Sequence, residues 1–221
     1  LSGDSYGRIA ALYDPATRFF LDPVRRLIGQ VLLQLGATRV LDVCCGTGRQ
    51  TRVLRRIGLH SVGIDASPAM LAVAGRRIDG NATPFGRMDA RCLAFADATF
   101  DAAVISLALH ENDESDRLAI GRDMLRVVRP GGHLLVADYA APPAPSFLGA
   151  LVPLAEWLAG VAHYRHYRDF QLKKGVAGIA RRLGCEVAAT HPCLGGQAAV
   201  LVLPVGSGTA AQSVASQPVW R

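Results

Sequence analysis

The sequence predicts an α/β fold: a mostly parallel, seven-stranded sheet with helices on both faces and an antiparallel last strand. Three observations carry this reading. Between residues 40 and 139, short apolar runs of strand length alternate with segments of helical spacing, the rhythm of a parallel sheet covered on both sides. Glycine and proline-glycine turns stop these runs. Near the end, two strand-like runs are joined through Gly195-Gly196 and close the sheet.

Residues 40–43 form the first strand, ended by a glycine turn, and residues 49–57 have helical spacing up to Gly58. Residues 61–65 read as a strand. Ser67 caps a helix that has Pro68 in its first turn and runs to about Arg77. Residues 85–89 are a short strand and 101–107 a buried one. An amphipathic helix at 116–128 stops at Pro130-Gly131-Gly132, and a strand follows at 133–139. The rhythm then breaks: 140–162 is rich in proline and apolar residues and reads as an insertion. A helix at 167–183 ends at Gly184, before the closing strands 185–191 and 198–204. The expected organisation is one domain, 1–204, with an N-terminal helical cover over about 1–38 and a lid over about 140–170. The Gly-, Ser-, Ala- and Gln-rich tail, 205–221, is expected to be flexible.

Composition bounds the function. The chain has 221 residues, 50% of them hydrophobic and 19% charged, enough for one sizeable core and unlike a disordered chain. The net charge of +6 permits an anionic partner. The arginines are spread out, however, and Lys173 and Lys174 are the only lysines, so no basic run reads as a nucleic-acid-binding tail. Five cysteines, Cys44, Cys45, Cys92, Cys185 and Cys193, are odd in number and irregular in spacing. With no signal-peptide pattern and no bilayer-spanning run, the expectation is free thiols in a cytoplasmic protein.

A ligand in an open parallel sheet sits beyond the carboxyl ends of the strands. Four features fall there. Cys44-Cys45-Gly46-Thr47-Gly48 is a loop whose glycines allow close approach to the backbone, ahead of a helix with free amide hydrogens. Asp65, at the end of the second strand, can accept both hydroxyls of a ribose. Asp89-Ala90 follows the third strand, where an aspartate can accept from an exocyclic amine. Residues 106–110 follow the fourth. The adjacent cysteines rarely reach disulfide geometry, and no nearby histidine completes a zinc set, so they read as small residues filling the loop. No metal is expected.

With "VLDVCCGTG", "VGIDAS", "GRMDA", "FDAAVISLALHE" and "LRVVRPGGHLLVADY" in this order, the chain resembles the class I S-adenosylmethionine-dependent methyltransferases and their Rossmann-like fold. Within them it is similar to the ubiquinone/menaquinone-biosynthesis (methyltransferase type 11) branch. Tyr13-Asp14 in "ALYDPATRFF" matches a motif of that branch, and "RRLGCEVAATHPCLGGQAAVLVLP" resembles the last helix and closing hairpin. The likeness covers about residues 6–204. It departs at Cys44, where the family usually has glycine. The resemblance implies S-adenosyl-L-methionine as cofactor and S-adenosyl-L-homocysteine as product. The methionine carboxylate would lie against Gly46, Thr47 and Gly48, the ribose on Asp65, and the adenine at Asp89 and Ala90 with Met70 packed on the ring. Asp42 would organise the loop, and Tyr13, Cys44, Ala66 and Ser106 would complete the cofactor site. Plainer readings stand beside these: Met70 as helix core, Asp89 as a turn cap.

A sulfonium is a good leaving group, so in-line displacement needs chiefly alignment, with a base only where the acceptor must lose a proton. His110 is the candidate base; the alternative is a satisfied structural histidine. In "HYRHYRDF", His163, His166, Tyr167 and Phe170 share a helical face, which either roofs the acceptor pocket or packs on the core. His110, His163, Tyr164, His166 and Tyr167 are thus the candidate acceptor-binding residues. The expected partner is a small, flat or greasy acceptor, aromatic or lipid-like, held between residues 106–111 and a cover made from 6–20 and 140–170. The run 145–162, apolar apart from Glu156, is a candidate for peripheral membrane contact. The competing readings are an NAD(P)-dependent Rossmann oxidoreductase, which lacks its third fingerprint glycine at Thr51, and a non-catalytic S-adenosylmethionine-binding scaffold.

Overall fold

A computed structural model describes residues 10–76, 84–141, 153, 156 and 160–206. Seven strands form one sheet: β1 (Arg39–Val43), β2 (His60–Asp65), β3 (Phe85–Arg87), β4 (Phe100–Ser106), β5 (Val128–Tyr139), β6 (Ala189–Cys193) and β7 (Ala198–Pro204). Their order is β3-β2-β1-β4-β5-β7-β6. The first five pair in parallel, and β7 runs antiparallel to both β5 and β6. The helices are α1 (Ala10–Gln34), α2 (Arg49–Arg56), α3 (Pro68–Gly75), α4 (Glu114–Val127), α5 (Val161–Leu172) and α6 (Gly175–Arg182).

Strand side chains alternate between faces, and the core divides accordingly. Leu41, Val43, Ala103, Ile105, Leu134 and Val136 face one side, with Ile120 and Met124 of α4 and Val176 and Ile179 of α6. Val40, Ala102, Val104, Leu135 and Ala137 face the other, with Val24, Ile28 and Leu32 of α1 and Leu54 of α2. Every one of these residues is buried. The sheet is therefore covered on both faces, which is why its central strands read as unbroken apolar runs.

Several boundaries differ from the sequence reading. The helix expected at 167–183 is two, α5 and α6, parted where Lys174 (φ 66°) and Gly175 (φ 55°) turn left-handed. The strand expected at 185–191 is β6 at Ala189–Cys193, because Cys185 N–H bonds back to Ala180 O (2.8 Å) and finishes α6 first. β5 begins at Val128, before the Pro-Gly-Gly turn. A Cβ on Gly132 would stand 2.4 Å from Asp101 O, so only glycine lets β5 approach β4 there. β3 ends at Arg87 and α3 at Gly75. Asp113, not a later residue, starts α4 by accepting from Asp116 N–H. Val205, assigned to the tail, is buried and pairs with Gly131 and Gly132 through its carbonyl and N–H. Most of the expected lid, and the tail from 207, lie outside the described residues.

Candidate active site

The carboxyl ends of β1, β2 and β4 open into a cavity of about 480 Å³ under the N-terminal half of α1. The β1 loop forms its floor. Cys44 (φ 55°), Gly46 (φ 55°) and Gly48 (φ 70°) alternate in left-handed geometry, and the loop is fixed by Cys45 N–H to Ile64 O and Gly48 N–H to Cys45 O, both 2.9 Å. Gly48 sits tightly: a Cβ would meet the Phe85 ring at 2.3 Å. Cys44 alone of the three pays the steric cost of a side chain at positive φ, about 1–2 kcal/mol. All five cysteines are free thiols. Burial pushes the Cys44 and Cys45 thiols far above their ordinary range, so they are neutral packing groups.

Behind the loop, Asp42 is buried and accepts from Thr51 Oγ1 at 2.5 Å. Burial raises its carboxyl to about 7 against the opposing pull of Thr51. Asp65 holds the loop from the side: its two oxygens accept from Gly46 N–H and Ser67 N–H, each at 2.8 Å. Ser67 caps α3 by accepting from Met70 N–H (3.1 Å), which seats Met70 in the cavity wall. From above, α1 lays Tyr13 and Asp14 on the loop, and Thr47 Oγ1 donates to Asp14 Oδ1 at 2.6 Å. Burial raises the Tyr13 phenol to about 12.

Among the residues expected to bind a cofactor, Tyr13, Asp42, Cys44, Gly46, Thr47, Asp65, Ala66, Met70 and Ser106 line the cavity. Gly48 does not; it caps α2. Asp89 and Ala90 do not line it either. Asp89 is half-exposed and tied to Arg91, whose guanidinium keeps its carboxyl below the usual range, while Ala90 is buried in the core. Arg87, Gln50 and Arg25 line the wall instead and were not singled out in the sequence. Two buried atoms in the wall, Ser106 Oγ and Gln50 Oε1, have no hydrogen-bond partner among the described residues. Buried polar atoms are nearly always satisfied, so these two mark where a polar ligand belongs. A ligand with hydroxyls, an ammonium and a carboxylate fits this set of carboxylate, hydroxyl, amide and backbone groups.

The surroundings of the turn after β4 are built differently. His110 and Glu111 form a single 3-10 turn after β4, and Glu111 lines the cavity. His110 is buried behind it. Its Nδ1–H donates to Asp138 Oδ1 at 2.7 Å, and Asp138 Oδ2 accepts the N–H groups of Leu109 (3.0 Å) and His110 (3.3 Å). Burial works against a charge on His110, but Asp138, with Glu111 and Glu156, outweighs it and raises the imidazole to about 9. Glu156 accepts from the Tyr139 hydroxyl at 2.8 Å and pairs with His163 Nε2 at 2.7 Å. That bond raises His163, and although burial opposes it, Glu156 is held below the usual carboxylate range by His163 and His110.

His163 and His110 therefore come together, with ring centroids 5.7 Å apart, while neither lines the cavity itself. His166 points elsewhere: its Nδ1–H donates to Glu111 O at 2.7 Å. Tyr167 is buried edge-on against Tyr139 (5.3 Å), and Tyr164 is half-buried on α5. The sequence reading missed Asp138 and Tyr139 and noted Glu156 only as the one charge in an apolar run. A lone carboxylate in such a run is the signal that could have found Asp138 and Glu156, because a buried charge needs a partner.

A ligand cavity on a glycine loop at the β1 switch point, in a sheet of this order, defines a Rossmann-like nucleotide-cofactor protein. Residues 40–132 match a family described as "Methyltransferase domain". A 2-phytyl-1,4-naphtoquinone methyltransferase of Thermosynechococcus vestitus is 31% identical over 222 residues, covering 89% of this chain and 96% of the relative. Demethylmenaquinone methyltransferases of Clavibacter sepedonicus (38% identical) and Beutenbergia cavernae (36%) align over 48% and 66% of this chain. The chain spans 43% and 65% of those two relatives' own lengths. The fold matches an O-methyltransferase family protein of Burkholderia thailandensis (TM-score 0.67, 19% identity, 91% of this chain and 60% of that one). It also matches magnesium protoporphyrin IX methyltransferase of Synechocystis with bound S-adenosyl-homocysteine (TM-score 0.62, 19% identity, 82% of each chain). The chain belongs to the class I S-adenosylmethionine-dependent methyltransferases, in the quinone-biosynthesis branch. No helix among the described residues is long and apolar enough to cross a membrane.

Proposed function

We propose that the protein transfers the methyl group of S-adenosyl-L-methionine to a small aromatic acceptor of quinol type, lipid-tailed in the way that the named naphthoquinone relatives suggest. The observation that carries this reading is the cavity on the glycine loop. Asp65 is braced there by two N–H donors, and Ser106 Oγ and Gln50 Oε1 have no hydrogen-bond partner among the described residues. In this reading the loop Gly46–Gly48 takes the methionine end of the cofactor and Asp65 the ribose. Met70, Ala66 and Tyr13 close on the rings. Arg87 lines the cavity and would border the adenine, while Asp89 is turned to Arg91.

The cofactor supplies an activated methyl group; the protein's part is to align an acceptor with it and to keep water out. The wall at Ser106, Leu107, Glu111 and Asn112 is the side on which an acceptor can approach. His110, fixed by Asp138, and His163, fixed by Glu156, stand behind Glu111 as the polar end of that side. An electron-rich quinol carbon or phenolate oxygen held at this wall would take the methyl group in line, and a ring carbon would then lose its proton to solvent or to Glu111. S-adenosyl-L-homocysteine, a neutral thioether, would be the product left at the loop.

Calorimetry tests the cofactor half: S-adenosyl-homocysteine binds and NAD does not. Transfer of labelled methyl to reduced demethylated naphthoquinols, compared with catechols, sugars and phosphates, tests the acceptor half. Tight NAD binding without S-adenosyl-homocysteine binding, or transfer only to sugars or phosphates, overturns the respective half. Cofactor binding with no transfer to any acceptor favours the non-catalytic scaffold.

A further inference from the structure

We propose that His110, Glu111 and His163 form a binding site for one divalent first-row transition-metal ion at the acceptor end of the cavity. A ring nitrogen of each histidine and a carboxylate oxygen of Glu111 lie within 4.8 Å of one another. A tetrahedral ion with bonds of roughly 2.1 Å separates its ligand atoms by about 3.4 Å, so the side chains need to close by little more than an ångström. Two imidazoles and one carboxylate are a donor set that suits zinc, cobalt, nickel, iron or manganese and leaves coordination positions open.

Three features beyond the triad point the same way. Both histidines already face a buried carboxylate: His110 Nδ1 donates to Asp138 at 2.7 Å, and His163 Nε2 lies 2.7 Å from Glu156 Oε2 as an ion pair. Metal-ligating histidines are held in this manner, which fixes the ring and leaves the other nitrogen for the ion. Second, three carboxylates, Asp138, Glu156 and Glu111, surround the two imidazoles, a setting that favours a bound cation. The imidazole protons leave to solvent as it binds. Third, the elements that carry the donors are already tied together without any ion. Buried Arg117 donates to Leu109 O (3.0 Å) and His166 O (2.6 Å), and His166 donates to Glu111 O (2.7 Å). The spacing of the 3-10 turn and α5 is thus set by the fold.

Glu111 faces both the cluster and the cavity. An ion here would offer its open positions to an acceptor, and it would hold one bearing two neighbouring oxygens, as in a catechol or hydroxyquinol, with the ring oxygen ionised. That last service rests on the methyltransferase reading; the metal site does not.

The test uses the full chain, stripped with a chelator and titrated with Co²⁺. Visible d–d absorption should saturate at one ion per chain and be displaced by Zn²⁺. Glu111→Gln and His163→Ala should each weaken Co²⁺ at least tenfold, with thermal melts to show that the variants fold. Glu111→Gln, the milder change, serves if His163→Ala does not fold. Absence of a stoichiometric band, an affinity unchanged in the folded variants, or a strong near-ultraviolet thiolate band placing the ion on cysteine overturns the proposal. S-adenosyl-homocysteine calorimetry on the same stripped protein separates the two ideas. Cofactor binding without cobalt sinks the metal site alone; cobalt without cofactor sinks the methyltransferase reading alone.

Discussion

Cys44 and Asp65 show how much a single side chain decides in the β1 loop. Cys44 occupies a left-handed position that favours glycine, and its thiol is neutral and packed against the core. The pair Cys44 and Cys45 should therefore be chemically silent. In the native protein a disulfide reagent should label the exposed Cys92 first, with Cys44 and Cys45 released only on unfolding. The double variant Cys44→Ala, Cys45→Ala should fold and keep S-adenosyl-homocysteine binding; rapid native labelling of either thiol contradicts this. Asp65 is the opposite case. Its carboxylate orders two loop N–H groups and faces the cavity. Charge-assisted hydrogen bonds contribute about 1.5–3 kcal/mol each, so Asp65→Ala should weaken cofactor binding by at least about tenfold. An unchanged dissociation constant in a folded variant removes the assignment.

The helices and strands are held by a few polar staples whose removal should be read as stability. Arg117 of α4 is 1% exposed and joins three elements, bonding Leu109 O, His166 O and Asp169 at 2.8 Å, with its guanidinium 5.2 Å from the Phe170 ring centre. Arg117→Met strands two carbonyls and removes one of the ties between the turn and α5; a loss of about 3 kcal/mol is expected by urea denaturation. Elsewhere, Asp101 accepts from Thr38 and Arg39 N–H and from Arg129, and Asp22 bridges α1 to Arg49. The hydrogen bond from Arg49 lowers the Asp22 carboxyl to about 2. Burial works against Asp101, but Arg129 and Thr38 hold it lower still. A carboxyl with a folded pKa below its unfolded one binds fewer protons when folded, so its contribution is present above about pH 4 and fades as pH falls toward 2. Urea midpoints should drop over this window, and Asp22→Asn should flatten the drop. A midpoint independent of pH between 4 and 2.5 would show that these pairs contribute nothing.

In the molecule as a unit, the site exists because five parallel strands end together and α1 roofs their ends. Gly132 lets β5 lie against β4, and an added Cβ would meet backbone oxygens that cannot turn aside, Asp101 O at 2.4 Å and Arg129 O at 2.9 Å. Gly132→Ala should cost about 3 kcal/mol or more, seen as a lower thermal midpoint with the site intact in whatever fraction remains folded. A neutral effect would mean that the two strands can separate without penalty. The alternation of β1, β4 and β5 residues between two buried faces, the serine cap and proline of α3, and the glycines of the β1 loop all follow from local pattern and backbone sterics. They were legible along the chain for that reason, as was the placing of the glycine loop and Asp65 at neighbouring strand ends. Local pattern did not show that Asp89 would turn away to Arg91 while Arg87 faced the cavity, or that one helix would break at Lys174. Nor did it show that Asp138 and Glu156 would clamp His110 and His163 beside Glu111. Those outcomes depend on charges brought together from the end of β5, the turn after β4, α5 and the insertion. A buried carboxylate must find its partner in space, and nothing in its neighbours along the chain says which partner that will be.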